Sequence, residues 1–264
     1  MKLKNMFTLY KKGFSLQVST WMAYRFNFYL FLIGLILFNL IGPALVYLIY
    51  YNSLSFPGWT LYEVLLLSGM FIIVEALDVF LFAPIQWQVQ GMVRGGHFDK
   101  MMIRPIKPLH FLFLRKPEVA SLMEMALGLI IVLFSISKLE LVFSLSQIPK
   151  FIVIFMAALA FVAGLRIIVA SLVFYFTRAE AVAQFISSMK DFVTYPISIY
   201  GVFGMFLFSF IFPIGVLSFY PAQVILGVVG WDVILKVSMV AVSFLLVSLL
   251  FWEQAIKHYT SAGG

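Results

Sequence analysis

Residues 151–176 read FIVIFMAALAFVAGLRIIVASLVFYF, and the only charge among them is Arg166. A run this long and this apolar is out of place in the core of an ordinary soluble domain. About 20 apolar residues do, however, cross a bilayer as one helix. The pattern recurs on both sides. Runs at about 26–50, 62–83 and 119–137 precede it, and runs at about 195–217 and 233–252 follow. Composition agrees: the chain is 63% hydrophobic and 11% charged, where soluble proteins sit near half and a quarter. The sequence therefore predicts an all-α integral membrane protein with six transmembrane helices, in one domain over 1–264. The first long run begins only near Phe26, and no small-residue cleavage site follows it, which argues against a removable signal peptide. Cysteine is absent, so disulfides and thiol chemistry are excluded.

Orientation follows from lysine and arginine. Lys2, Lys4, Lys11, Lys12 and Arg25 precede the first run, and the connection 51–61 carries none. Arg94, Lys100, Arg104, Lys107, Arg115 and Lys116 crowd the next connection. Lys138 and Lys150 mark the fourth, and Arg178 and Lys190 the fifth. Basic loops stay cytoplasmic, so both termini are expected inside. The net charge of +7 is accounted for by this bias, and no nucleic-acid partner is implied. One stretch does not fit a simple count. From Asp191 to Asp232 no charge intervenes, and Pro213, Gly215, Pro221, Gly227 and Gly230 interrupt its second half. Two full spans there would carry Lys257 and His258 outside. The sequence is better read as one span and an external re-entrant segment at 213–230, since broken backbone survives at membrane depth where protein covers it.

Several shorter pieces carry their own signals. Phe7, Tyr10, Phe14, Val18 and Trp21 recur at three- and four-residue steps, with Lys12, Ser15 and Ser19 opposite. Residues 1–25 are thus expected to hold an amphipathic helix lying in the membrane interface. The polar loop 91–108 reads GMVRGGHFDKMMIRPIKP. Gly95 and Gly96 loosen its start, His97 to Ile103 can form about two helical turns, and Pro105 ends them at Arg104. Phe98, Met101 and Met102 give that helix an apolar side suited to a groove on a partner. Thr177-Arg178-Ala179-Glu180 has capping-box spacing, which predicts a helix from there to about Thr194, with Pro196 as the next boundary.

Charges within the runs are costly and face protein or a cavity. Glu75 and Asp78 are three apart and share a helix face. Arg166 lies at a similar depth, on the order of 15 Å from the inner boundary. A pair between Arg166 and Glu75, shared with Asp78, is expected, and fixing helix packing is its simplest role. No catalytic residues and no metal site emerge. A Gly-x-x-x-x-Gly-Lys-[Ser/Thr] phosphate loop is absent, and His97, His110 and His258 lack metal-ligand spacing.

Gly96, Asp99, Arg104 and Pro105 set out a Gly-x-x-Asp-x-x-x-x-Arg-Pro pattern between the second and third runs. This resembles the cytoplasmic loop of ABC-2-type transporter permeases, in particular the small six-span bacterial branch. Tyr195-Pro196-Ile197-Ser198 and Phe219-Tyr220-Pro221-Ala222 resemble that branch at the corresponding places. The resemblance implies a permease subunit of the bacterial cytoplasmic membrane that exports by alternating access. It implies partners too: separate ABC ATPase subunits, which hold the ATP and Mg, and a second permease chain, identical or related, all within membrane lipid. This chain itself would need no cofactor. On the same resemblance Gly96, Phe98, Asp99, Met102, Arg104 and Pro105 would couple it to the ATPase. An ion-coupled secondary transporter or channel using Glu75, Asp78 and Arg166 stays open as the alternative.

Overall fold

The computed structural model describes residues 3–115, 117–141, 144–176 and 180–260, and among them every regular element is helical. Helix α1, Leu3–Ala23, runs through Tyr24 into α2, Arg25–Tyr51. Phe14, Val18 and Trp21 are half-buried while Lys11, Lys12, Ser15 and Ser19 are exposed, the two-faced pattern read from the sequence. The side chains of Phe7 and Tyr10 lie outside the described ones. Helix α3, Leu61–Leu81, opens on a complete capping box in which Glu63 Oε2 accepts from the Thr60 amide at 2.7 Å and Thr60 Oγ1 from the Glu63 amide at 3.4 Å. Helix α4, Ala83–Arg94, continues it after a break at Phe82, with Pro84 in the first turn, where its missing amide hydrogen costs nothing. Then come α5, Asp99–Met102, α6, Pro108–Arg115, and α7, Ser121–Lys138. Helices α8, Gln147–Leu172, and α9, Glu180–Asp191, follow. The last three are α10, Gly201–Phe206, α11, Phe219–Ile225, and α12, Trp231–Ala255.

The bundle is built on two close pairs, α3 with α7 and α8 with α12. Small residues let the backbones meet, as membrane helices without a hydrophobic drive between them require. A Cβ on Gly69 would stand 3.1 Å from the Gly128 carbonyl oxygen, and one on Gly128 would stand 2.9 Å from that of Gly69. Gly164 faces Leu245 Cα at 3.2 Å and Ser248 Oγ at 3.0 Å in the same way. Among the described residues five helices, α2, α3, α7, α8 and α12, are long and apolar enough to cross a membrane, or six if one bent helix pair is counted as a span.

The expected span at 195–217 takes a different form. Glu180–Thr194 and Ile197–Ile211 are two helical limbs meeting at 104°. Pro196 explains the break, because its ring pushes the preceding residue out of helical geometry, and Tyr195 is extended at φ −109°, ψ 160°. After a wide turn at Leu207–Ile211 the chain passes Pro213, a tight turn at Ile214–Leu217 and α11, with Ile214, Val216, Leu217 and Phe219 fully buried. The region expected to be re-entrant is therefore a series of short turns folded back against α3 and α8. Side chains tie it to its neighbours: Ser218 Oγ donates to the Val193 carbonyl in the turn before the bend, and Ser209 Oγ and Tyr220 OH bond each other at 2.6 Å. The expected cap at Thr177, Arg178 and Ala179 lies outside the described residues. From Glu180 the helix extends through a tight turn at Phe192–Thr194, up to the boundary set by Pro196.

Candidate functional site

Four helices send polar side chains to one point. Arg166 of α8 grips Asp78 of α3 as a fork, with Nε 3.0 Å from Oδ1 and Nη2 2.8 Å from Oδ2. Its remaining arm, Nη1, donates to Gln86 Oε1 of α4 at 2.9 Å. Lys190 of α9 donates to Glu75 Oε1 at 2.5 Å and to Asp78 Oδ2 at 3.0 Å. Asp78 is 0% exposed and Lys190 5%. Two acids and two bases thus cancel in a place where an unpartnered charge would be very costly. Beside them lies a cavity of ≈ 50 Å³ lined by Glu75, Gln86, Arg166, Ser187 and Lys190, room for a few waters. No group of residues suited to a metal ion occurs among the described residues.

The sequence predicted Arg166 against Glu75, shared with Asp78. Of the two carboxylates it is Asp78 that Arg166 grips, one turn nearer the α4 end of α3, where a carboxylate and the Gln86 carbonyl together fit the planar guanidinium. Glu75 is taken by Lys190. Position in sequence concealed this partner, because Lys190 reads as one more basic residue between runs. Only the way α9 lies against the bundle makes it an interior charge.

The second feature is the loop after α4. Gly96 adopts φ +63°, a conformation that favours glycine and lets the chain turn sharply out of the helix. One helical turn, α5, stands where about two were expected. Phe98 was expected on the partner-facing side, and this is corrected: it is 0% exposed, its ring edge-on to Phe174 and Tyr259 at 5.1 and 5.0 Å. Met101 is buried beside it. The spacing of Phe98, Met101 and Met102 marks an apolar face but does not say whether it meets its own bundle or a foreign groove. Here Phe98 and Met101 seat the loop, and Met102 and Ile103 stand out from it, Ile103 being 84% exposed. Lys100, Arg104, Pro105 and Lys107 share that outer surface, Gly96 and Asp99 are half-buried, and the Arg104 guanidinium covers the Phe111 ring at 4.5 Å. Ile103 is absent from the residues singled out by sequence.

The family model described as ABC-2 family transporter protein matches residues 29–263 of the chain. No curated protein and no solved structure matches.

Proposed function

The chain belongs to the ABC-2 family of transporter proteins, and on that premise we propose that it is the membrane-spanning permease subunit of an exporter driven by separate ABC ATPase subunits. The observation that carries the reading is the loop knob. Exposed Met102 and Ile103 are held on buried Phe98 and Met101, so a partner would meet an apolar contact that cannot yield without moving the bundle. Arg104, Pro105 and Gly96 shape that knob. Asp99, half-buried at its start, belongs to its frame.

The ATPase subunits would bind ATP and Mg, since this chain has no phosphate loop. The positive-inside pattern supports placing this loop and both termini on the cytoplasmic side, in a bacterial cytoplasmic membrane. A second permease chain, identical or related, would cover the outward face of α2, of whose apolar window only 11% is buried. Export by alternating access would use the seam between the two permeases, with lipid around the rest. The rival reading, an ion-coupled transporter working through Glu75, Asp78 and Arg166, finds less support, because those charges are bonded to one another or to Lys190.

Met102→Asp with Ile103→Asp tests the reading. The permease should purify folded but without its ATPase subunits. Retention of those subunits and of their ATP hydrolysis at the parent level would sink it.

A further inference from the structure

We propose that α9 is the link between the 91–108 loop and the bent limb Ile197–Ile211, with Arg94 and Lys190 as the positioning residues that tie its two ends. The inference rests on the permease reading above and adds a route for the motion. At its start, Glu180 accepts from Arg94 Nη2, and Arg94 is the last residue of α4, immediately before the glycines of the loop. At its far end, Lys190 is bonded to Glu75 and Asp78, Asp78 to Arg166, and Arg166 to Gln86. Gln86 lies on α4 about two turns upstream of Arg94. So α4 reaches α9 twice, directly at Arg94 and through the buried cluster.

Beyond Lys190 only Asp191 and the turn Phe192–Thr194 precede the 104° bend. A displacement of the loop that carries α4 with it must then carry α9, and α9 leads straight into the bent limb. Apolar packing holds this helix at Ile186, which lies against the core, while Lys190 is its one fully buried residue. The polar ties at its two ends come on top of that contact, and the exposed one can be cut without opening the apolar core. If the cluster merely glued helices together, cutting the exposed Arg94–Glu180 tie would leave the limb's response to ATP intact.

The test uses the permease with its ATPase subunits in lipid nanodiscs. A single nitroxide is placed by Val202→Cys, a position 90% exposed in a chain without native cysteine. ATP with vanadate should change the label's spectrum in the parent. Lys190→Met with Glu75→Gln, which removes both charges together, should abolish the change while the subunits still co-purify. Glu180→Arg should cut the responding fraction about threefold, the scale of an exposed ion pair, and adding Arg94→Glu should restore it. An undiminished response in either broken variant would overturn the proposal, as would a loss that the charge exchange fails to repair. Should the Lys190 double variant not fold, the exposed exchange still decides. A parent complex with active ATPase but a silent label also overturns it, whereas a parent without any ATPase sinks the permease reading itself.

Discussion

Helices α8 and α2 are both long, unbroken and strongly apolar, yet 56% of the α8 window is buried and 11% of the α2 window. Side-chain size separates them. Helix α8 turns Ala157, Ala158, Ala163 and Gly164 inward and lets α12 approach. Helix α2 turns Phe26, Phe38, Tyr47 and Tyr51 outward, rings that suit lipid or a second protein and keep its own bundle at a distance. Hydropathy locates a crossing, and the small residues say which crossings are inside. The packed half also holds the charge cluster, so the rigid and the electrically loaded parts coincide, with α2 as a loosely attached arm.

The comparison breaks most sharply at Asp78. Replacing it by alanine leaves Arg166 and Lys190 with Glu75 as their sole carboxylate, and losing one partner of a buried ion pair costs on the order of 3–5 kcal/mol. On α2, Asn39 donates to the Leu35 carbonyl of its own helix, and Asn39→Ala should change stability by less than about 0.5 kcal/mol. Thermal unfolding in detergent measures both. Equal effects would mean that the two halves are not differently loaded.

Glycine gives the next largest contrast. Gly128→Val drives methyl groups into the Gly69 carbonyl, and overfilling a packed interface costs about 1–3 kcal/mol. Gly34 on α2 has nothing within 4 Å of a Cβ, so Gly34→Val should leave unfolding unchanged. A lasting penalty at Gly34 would show that α2 is packed after all.

How far these differences could be read beforehand varies with the residue. Boundaries of α2, α3, α7, α8 and α12 follow the apolar runs closely, because crossing length is a property of the run itself. The bend at Tyr195 was half legible: Pro196 marked a boundary and Pro213 and Gly215 marked the return, but the charge-free stretch between them gave no sign that the chain turns by 104° at Tyr195. Lys190 and Phe98 were misread for a common reason. Each was judged by its neighbours in sequence, and each takes its role from an element distant in sequence, Lys190 from α3 and Phe98 from Phe174 and Tyr259. Asp78 was legible as a shared partner of Arg166, but its taking the guanidinium in place of Glu75 depends on the position of Gln86, which nothing in the spacing supplies.

A smaller effect is expected on the outward face of α2. Phe38 is 76% exposed, and Phe38→Ala should leave the melting of the isolated chain unaltered while lowering recovery of paired permease chains from the membrane. Cross-linking through Phe38→Cys reads the pairing directly. Unchanged pairing would assign that face to lipid instead.

The smallest effect lies where the two regions touch. Gln17 of α1 donates to Glu118 Oε2 at 3.3 Å, in the connection leading into α7. Burial pushes the Glu118 carboxyl above its ordinary value, against the opposing pull of the Ala120 amide and Gln17. A carboxyl with a raised folded-state pKa favours the fold most while protonated, so its contribution is full at low pH and drains away as pH climbs through the raised value. Glu118→Gln keeps an acceptor for Gln17 and removes the ionisation. The variant should match the parent near pH 4 and be slightly the more stable near pH 7, within a window that begins at about the ordinary glutamate value of 4.3. Half-exposure and screening keep the difference small. Unfolding profiles that diverged in the opposite sense would mean that the ionised carboxylate is what holds the arm, and that α1 and α2 are fastened to the packed half more firmly than their exposure implies.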